Sequence, residues 1–85
     1  MKARIHITLK SGVLDPQGKA IQSSLGALGF SDVENVRQGK YIELDISAED
    51  PAKAHEQLTQ MCKKLLANTV IENYTIDLET RRRNR

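Results

Sequence analysis

The chain has no tryptophan, one phenylalanine and two tyrosines among its 85 residues. So few rings argue against a surface that stacks nucleic-acid bases, because each base needs an aromatic platform. A single cysteine, Cys62, excludes an internal disulfide and fits a reducing compartment. Neither histidine, His6 or His55, has a Cys or His partner at ligand spacing, so a built zinc site is not expected. No apolar run approaches the roughly 20 residues of a membrane-spanning helix. Lys2 and Arg4 lead straight into strand-like alternation, so no signal peptide is expected. A large excess of one charge is missing too. The formal charge of +2 depends on Arg81, Arg82, Arg83 and Arg85, without which nine bases face eleven acids, a balance of −2. That is not the composition of a basic nucleic-acid binder. The length leaves room for one small domain with a thin core, for which oligomerisation is a natural way to gain buried area.

What is present is periodicity. Ala3, Ile5, Ile7 and Leu9 alternate with Arg4, His6 and Thr8, as in a half-buried strand. Asp15-Pro16 is a cap followed by a first helical residue, and predicts a helix to about Leu28 with Ile21, Leu25 and Leu28 on one face. Gly29 suits a left-handed helix end, with Phe30 reaching back to Leu25. Val33 to Arg37 reads as a weaker second strand. Gln38-Gly39 reads as a tight turn into a third strand, where Ile42, Leu44 and Ile46 alternate with Tyr41, Glu43 and Asp45. Asp50-Pro51 starts a second helix to about Ala67. Ala54, Leu58, Met61 and Leu65 share its apolar face, which Cys62 and Leu66 widen. Asn68 is a plausible stop. Val70 to Leu78 reads as a fourth strand, with Tyr74, Ile76 and Leu78 on one side and a bend near Val70 to Asn73. The order predicts an α+β, ferredoxin-like split βαβ: two helices on one face of an antiparallel sheet. One domain, 1–79, is followed by an Arg-rich extension, 80–85, expected to be solvated. The sheet face away from the helices, with Arg4, His6, Thr8, Tyr41, Glu43 and Asp45, is either wet or a subunit interface.

The residues offer little chemistry. TLKSGVLDPQGKA, residues 8–20, imitates a phosphate-binding loop, but Gly12 and Gly18 are separated by five residues where the motif has four, and Ala20 stands where a hydroxyl residue is needed. Asp15 adds a negative charge there and Pro16 removes an N–H donor. His6 and Glu43 on neighbouring strands predict an ordinary cross-strand contact in preference to a catalytic pair. Cys62, on an apolar helix face, predicts a buried, inert thiol. Arg37, Gly39 and Lys40 form a basic tip, which either grips a phosphate or acidic partner or is simply solvated. Lys63 and Lys64 suit the end of a helix dipole. An RNA-recognition fold has the same element order, yet Tyr41 is the one ring at its stacking positions. An interaction module is favoured over an enzyme acting alone. A metabolite-binding, ACT-like dimer is the alternative.

Three segments carry a resemblance: TLKSGVLDPQGKA, VRQGKYIELDI at 36–46 and MCKKLLANTVIENYTI at 61–76. In this order they resemble the PurS family, the small subunit of phosphoribosylformylglycinamidine synthase in purine biosynthesis. Ser11 and Thr69 stand where prolines are usual, and the Arg-rich end is outside the pattern. The resemblance implies a non-catalytic, cytoplasmic subunit that binds no cofactor or metal itself. It implies a homodimer or tetramer bridging a large synthetase subunit and a glutaminase subunit, which use ATP, Mg²⁺ and glutamine. It implies neither a specific nucleic-acid partner nor a membrane. The positions that match the family's motifs, and hence the expected partner contacts, are Asp15, Gln17, Gly18, Arg37, Gly39, Lys40, Glu43, Leu66 and Asn68.

Overall fold

The computed structural model describes residues 1–79; the Arg-rich extension expected at 80–85 lies outside the described residues. The elements are β1 (Lys2–Leu9), α1 (Pro16–Ala27), β2 (Lys40–Asp45), α2 (Pro51–Met61), a π-helical turn (Cys62–Leu66) and β3 (Glu72–Glu79). The strands form one antiparallel sheet in the order β2-β1-β3. Alternation along β1 sends Ala3, Ile5 and Ile7 to one face, opposite Leu44, Ile42 and Lys40 of β2 and Leu78, Ile76 and Tyr74 of β3. α2 covers that face. Its Ala54 and Leu58, with Cys62 just beyond, are fully buried together with Ala3 and Ile5. This is the expected ferredoxin-like α+β class, drawn with three strands.

Five expectations about its elements need correction. Val33 to Arg37 is not a strand. Asn35 takes a left-handed backbone with φ of 56°, which breaks the alternation a strand requires. The Arg37 guanidinium then donates to the carbonyls of Leu9 and Lys10, drawing the segment across the end of β1 and away from the edge of β2. With no strand before it, Gln38-Gly39 is a crossing segment and Arg37 to Lys40 is not a hairpin tip. Gly39 is needed for closeness: a Cβ there would run into the Ile7 carbonyl oxygen.

The last strand starts at Glu72 instead of Val70. Asn68 consumes the residues between. Its side-chain oxygen accepts from the Val70 N–H at 3.1 Å, and its carbonyl accepts from Ile71 and Glu72 at 3.0 and 2.7 Å.

Leu65 is not on the core face; it is 83% exposed. The Ala67 N–H donates to the Cys62 carbonyl, five residues back, so the final turn is wider than an α-turn. The extra residue rotates Leu65 outward and brings Leu66 and Ala67 against the core.

α1 is also not embedded as its apolar spacing suggested. Ile21 is exposed and Leu28 is 72% exposed. Between those residues only Leu25 and Ala27 are apolar, beside Gln22, Ser23, Ser24 and Gly26, too little apolar bulk to hold the helix on the sheet. Its ends are nonetheless well made. Asp15 caps the first turn. At the other end Phe30 N–H donates to the Leu25 carbonyl and Gly29 N–H to that of Gly26, with Gly29 at φ 101°. This is the expected left-handed stop.

Candidate functional site

Six of the nine expected contact residues meet at one end of the sheet. The centre is Asp15. One carboxylate oxygen accepts from the Gly18 N–H at 2.8 Å, which caps α1. The other accepts from the Gln38 N–H at 2.8 Å, in the segment that leads to β2. Gln38 also donates its side-chain amide to Gln17. Gly18 is buried where the segment crosses the helix, and a Cβ there would strike the Val36 carbonyl oxygen. Arg37 fastens the same segment to the end of β1. The result is a polar clip joining the N-terminus of α1, the end of β1 and the start of β2.

The clip borders an open groove of about 420 Å³, whose walls include Ile7, Leu9, Gln17, Gly39, Lys40 and Glu72. Lys40 pairs with Glu72 across the sheet at 3.4 Å. Glu72 also accepts from the Asn68 N–H at 2.6 Å, which links Asn68 to the groove. Glu72 and Gln38 were missed by the sequence reading. Glu72 lies at a break in strand alternation, and Gln38 acts largely through its backbone, so neither gave a side-chain signal.

The electrostatics follow from these bonds. The Gln38 N–H, then that of Gly18 and the nearby Arg37 charge, hold the Asp15 carboxyl below its usual range. The Asn68 N–H chiefly, with Lys40 helping, does the same for Glu72. Asp15 also settles the apparent phosphate loop: its own carboxylate occupies the helix N-terminus where an anion would sit.

The other expected contacts lie elsewhere. Leu66 packs against the core at the end of the π-helical turn. Glu43 is on the opposite, polar face of the sheet. There Tyr41 Oη donates to it at 2.6 Å, and Lys2 Nζ is 3.8 Å away. These two neighbours lower the Glu43 carboxyl, and Glu43 in turn pushes the Tyr41 hydroxyl up. His6 does not pair with Glu43; its ring packs on Tyr41, with centroids 4.9 Å apart. Arg4 bridges Asp77 and Glu79 at 3.8 and 3.7 Å. These are cross-strand contacts of ordinary kind. Cys62 is buried as expected, and burial pushes its thiol up, the reverse of what activates a nucleophile. Among the described residues no three His, Cys, Asp or Glu side chains gather to hold a metal ion.

The three segments that build the groove and clip are those that carry the resemblance. Residues 2–80 match the PurS family model, described as phosphoribosylformylglycinamidine (FGAM) synthase. The chain belongs to the PurS family. It is 56% identical over 75 residues to the phosphoribosylformylglycinamidine synthase subunit PurS of Synechocystis, covering 88% of this chain and 75% of that one. Among solved structures, Bacillus subtilis PurS superposes with a TM-score of 0.84 at 44% identity, over 92% of this chain and 96% of its own. A chain of the Thermotoga maritima PurLQS structure superposes with a TM-score of 0.82 at 36% identity, over 89% and 93%.

Proposed function

We propose that this chain is the accessory subunit of a glutamine- and ATP-dependent phosphoribosylformylglycinamidine synthase. The observation that carries this is the match, over nearly the whole domain, to a chain of the PurLQS structure. In this reading the subunit bridges the large synthetase subunit and the glutaminase, and supports passage of ammonia between them. It acts as a homodimer or a dimer of dimers in the cytosol. It binds no cofactor itself; ATP, Mg²⁺ and glutamine are handled by its partners. The clip at Asp15 and the groove beside it supply the docking surface, since they hold exposed polar groups in fixed positions on a rigid sheet end.

The test is reconstitution. The synthetase and glutaminase from the same cell, supplied with formylglycinamide ribonucleotide, ATP, Mg²⁺ and glutamine, should form product only when this chain is added. A pull-down with glutamine and Mg-ADP present should recover both larger proteins. Equal glutamine-dependent rates with and without the chain would refute the accessory role.

A further inference from the structure

The uncompensated charge of residues 1–79 sits in one place. Away from the polar sheet face, seven bases face seven acids. On that face stand Lys2 and Arg4 with Glu43, Asp45, Asp77 and Glu79, a balance of −2. The register gathers all six at one end of the sheet. Asp45, Lys2 and Glu79 lie side by side across β2, β1 and β3, and Glu43, Arg4 and Asp77 form the next rung. Residues directly opposite in a ladder share a face. Each rung is therefore one base between two acids.

Two bases do not satisfy four carboxylates. Arg4 is shared between Asp77 and Glu79, at 3.8 and 3.7 Å, and Lys2 lies 3.8 Å from Glu43. None of these contacts is short enough for a hydrogen bond. Asp45 pairs with no cation among the described residues. The Met1 ammonium, at the same end, is engaged by the Ile46 carbonyl at 2.9 Å. α2 lies on the other face of the sheet, and Glu43, Asp45 and Asp77 are exposed. Glu79 is the last described residue, and the Arg-rich extension starts beside it with Thr80, Arg81, Arg82 and Arg83. Six residues span up to about 20 Å. β2 lies two strand spacings from β3, about 10 Å away. Arg82 and Arg83 therefore come within reach of Asp45.

We propose that residues 80–85 cross the end of the polar face, from β3 to β2 of the same chain, with their guanidinium groups on Asp45, Asp77 and Glu79. Charge and reach together select this occupant: the surplus of acid and the four arginines adjoin each other. Arginine suits the task, because its planar fork of donors can engage two carboxylates at once. The extension then acts as an internal counterion that covers the face, instead of running free in solvent or gripping a nucleic acid. The contact is independent of the accessory role proposed above.

Carbodiimide cross-linking tests the placement, since it joins a carboxylate to an amine only where the two touch. Arg83→Lys keeps the charge and supplies the amine. Peptide mapping should find an isopeptide bond from position 83 to Asp45 in a product with the mass of one chain. About 1 M salt, which shortens the Debye length to about 3 Å, should suppress it. Bonds spread evenly over exposed carboxylates such as Glu34 and Glu56 would overturn the proposal. A product of two joined chains would overturn the same-chain path. Binding to a fluorescent single-stranded oligonucleotide at low salt gives a second readout. Asp45→Asn with Glu79→Gln should release the extension and raise affinity about tenfold over the wild type. Glu34→Gln with Glu56→Gln makes the same change in net charge elsewhere, and should raise it less than about twofold. Truncation after Glu79 should abolish the gain, with circular dichroism confirming the fold of each variant. Equal gains from the two pairs would mean that the extension is already free in the wild type, and would refute the contact.

Discussion

Both helices begin alike, with an aspartate cap and a proline in the first turn. They are held by different physics. α2 is anchored by apolar burial, with Ala54 and Leu58 sealed against β1 and β3 and Cys62 extending the seal. α1 buries only Gly18 among its residues, and is held at its start by Asp15, Gln17 and Gln38. An end cap gives a helix its direction, while apolar area gives it its position. A helix with a good cap and a poor apolar face forms, but it remains available to a partner.

The largest effect should come from α2. Leu58→Ala should destabilise the chain by about 2–5 kcal/mol, because it empties a sealed site, as measured by urea unfolding. A loss as small as that of an exposed-site substitution would mean α2 is not the anchor. Cys62→Ser should cost less, about 1–3 kcal/mol, by placing a hydroxyl among apolar groups. The assembled synthase containing it should keep its activity; loss of activity in a folded, assembled complex would make Cys62 a catalyst.

Acid should loosen α1 before α2. The folded-state Asp15 carboxyl lies below its unfolded value of 3.8. Its contribution is therefore complete above that pH, and is lost as pH falls through the lower folded value. Hydrogen exchange corrected for intrinsic rates should show the Gly18 and Gln38 amides losing protection in that acid range before the amides of α2 do. Simultaneous loss would mean that α1 is not held separately by the clip. The smallest effect on stability should come from Leu28→Ser. An exposed-site change of this kind stays within about 0.5 kcal/mol, yet it should weaken recovery of the partner subunits if the bare face of α1 is a docking face. A large drop in Tm would show that Leu28 is buried in the working oligomer of the isolated chain.

Much of this was legible from residues alone. Ala3, Ile5 and Ile7 alternate because a half-buried strand requires it, and Asp15-Pro16 and Asp50-Pro51 mark helix starts for local reasons. What was not legible depends on non-local competition. Val33 to Arg37 has strand-like residues, but Arg37 finds carbonyls at the end of β1, a partner no window around it reveals. The face of α1 has helical spacing, but spacing cannot say whether the buried area suffices. Of the candidate contacts, the motif residues from Asp15 to Gly18 and Arg37 to Lys40 were named separately and prove to be one cluster. Glu43 shares their motif yet lies on the opposite face, because side chains alternate along β2.

The π-helical turn has a consequence for chain length. From Cys62 to Leu66 the helix accommodates one more residue than a regular turn would, while Cys62 and Ala67 remain against the core on either side. Such a turn is an insertion already absorbed. Removing one residue from the solvent side, Lys63 or Lys64, would leave a regular α-turn between the same two anchors. PurS chains one residue shorter at this point can thus keep the same sheet and core, so a gap here in a comparison of relatives does not signal a different fold.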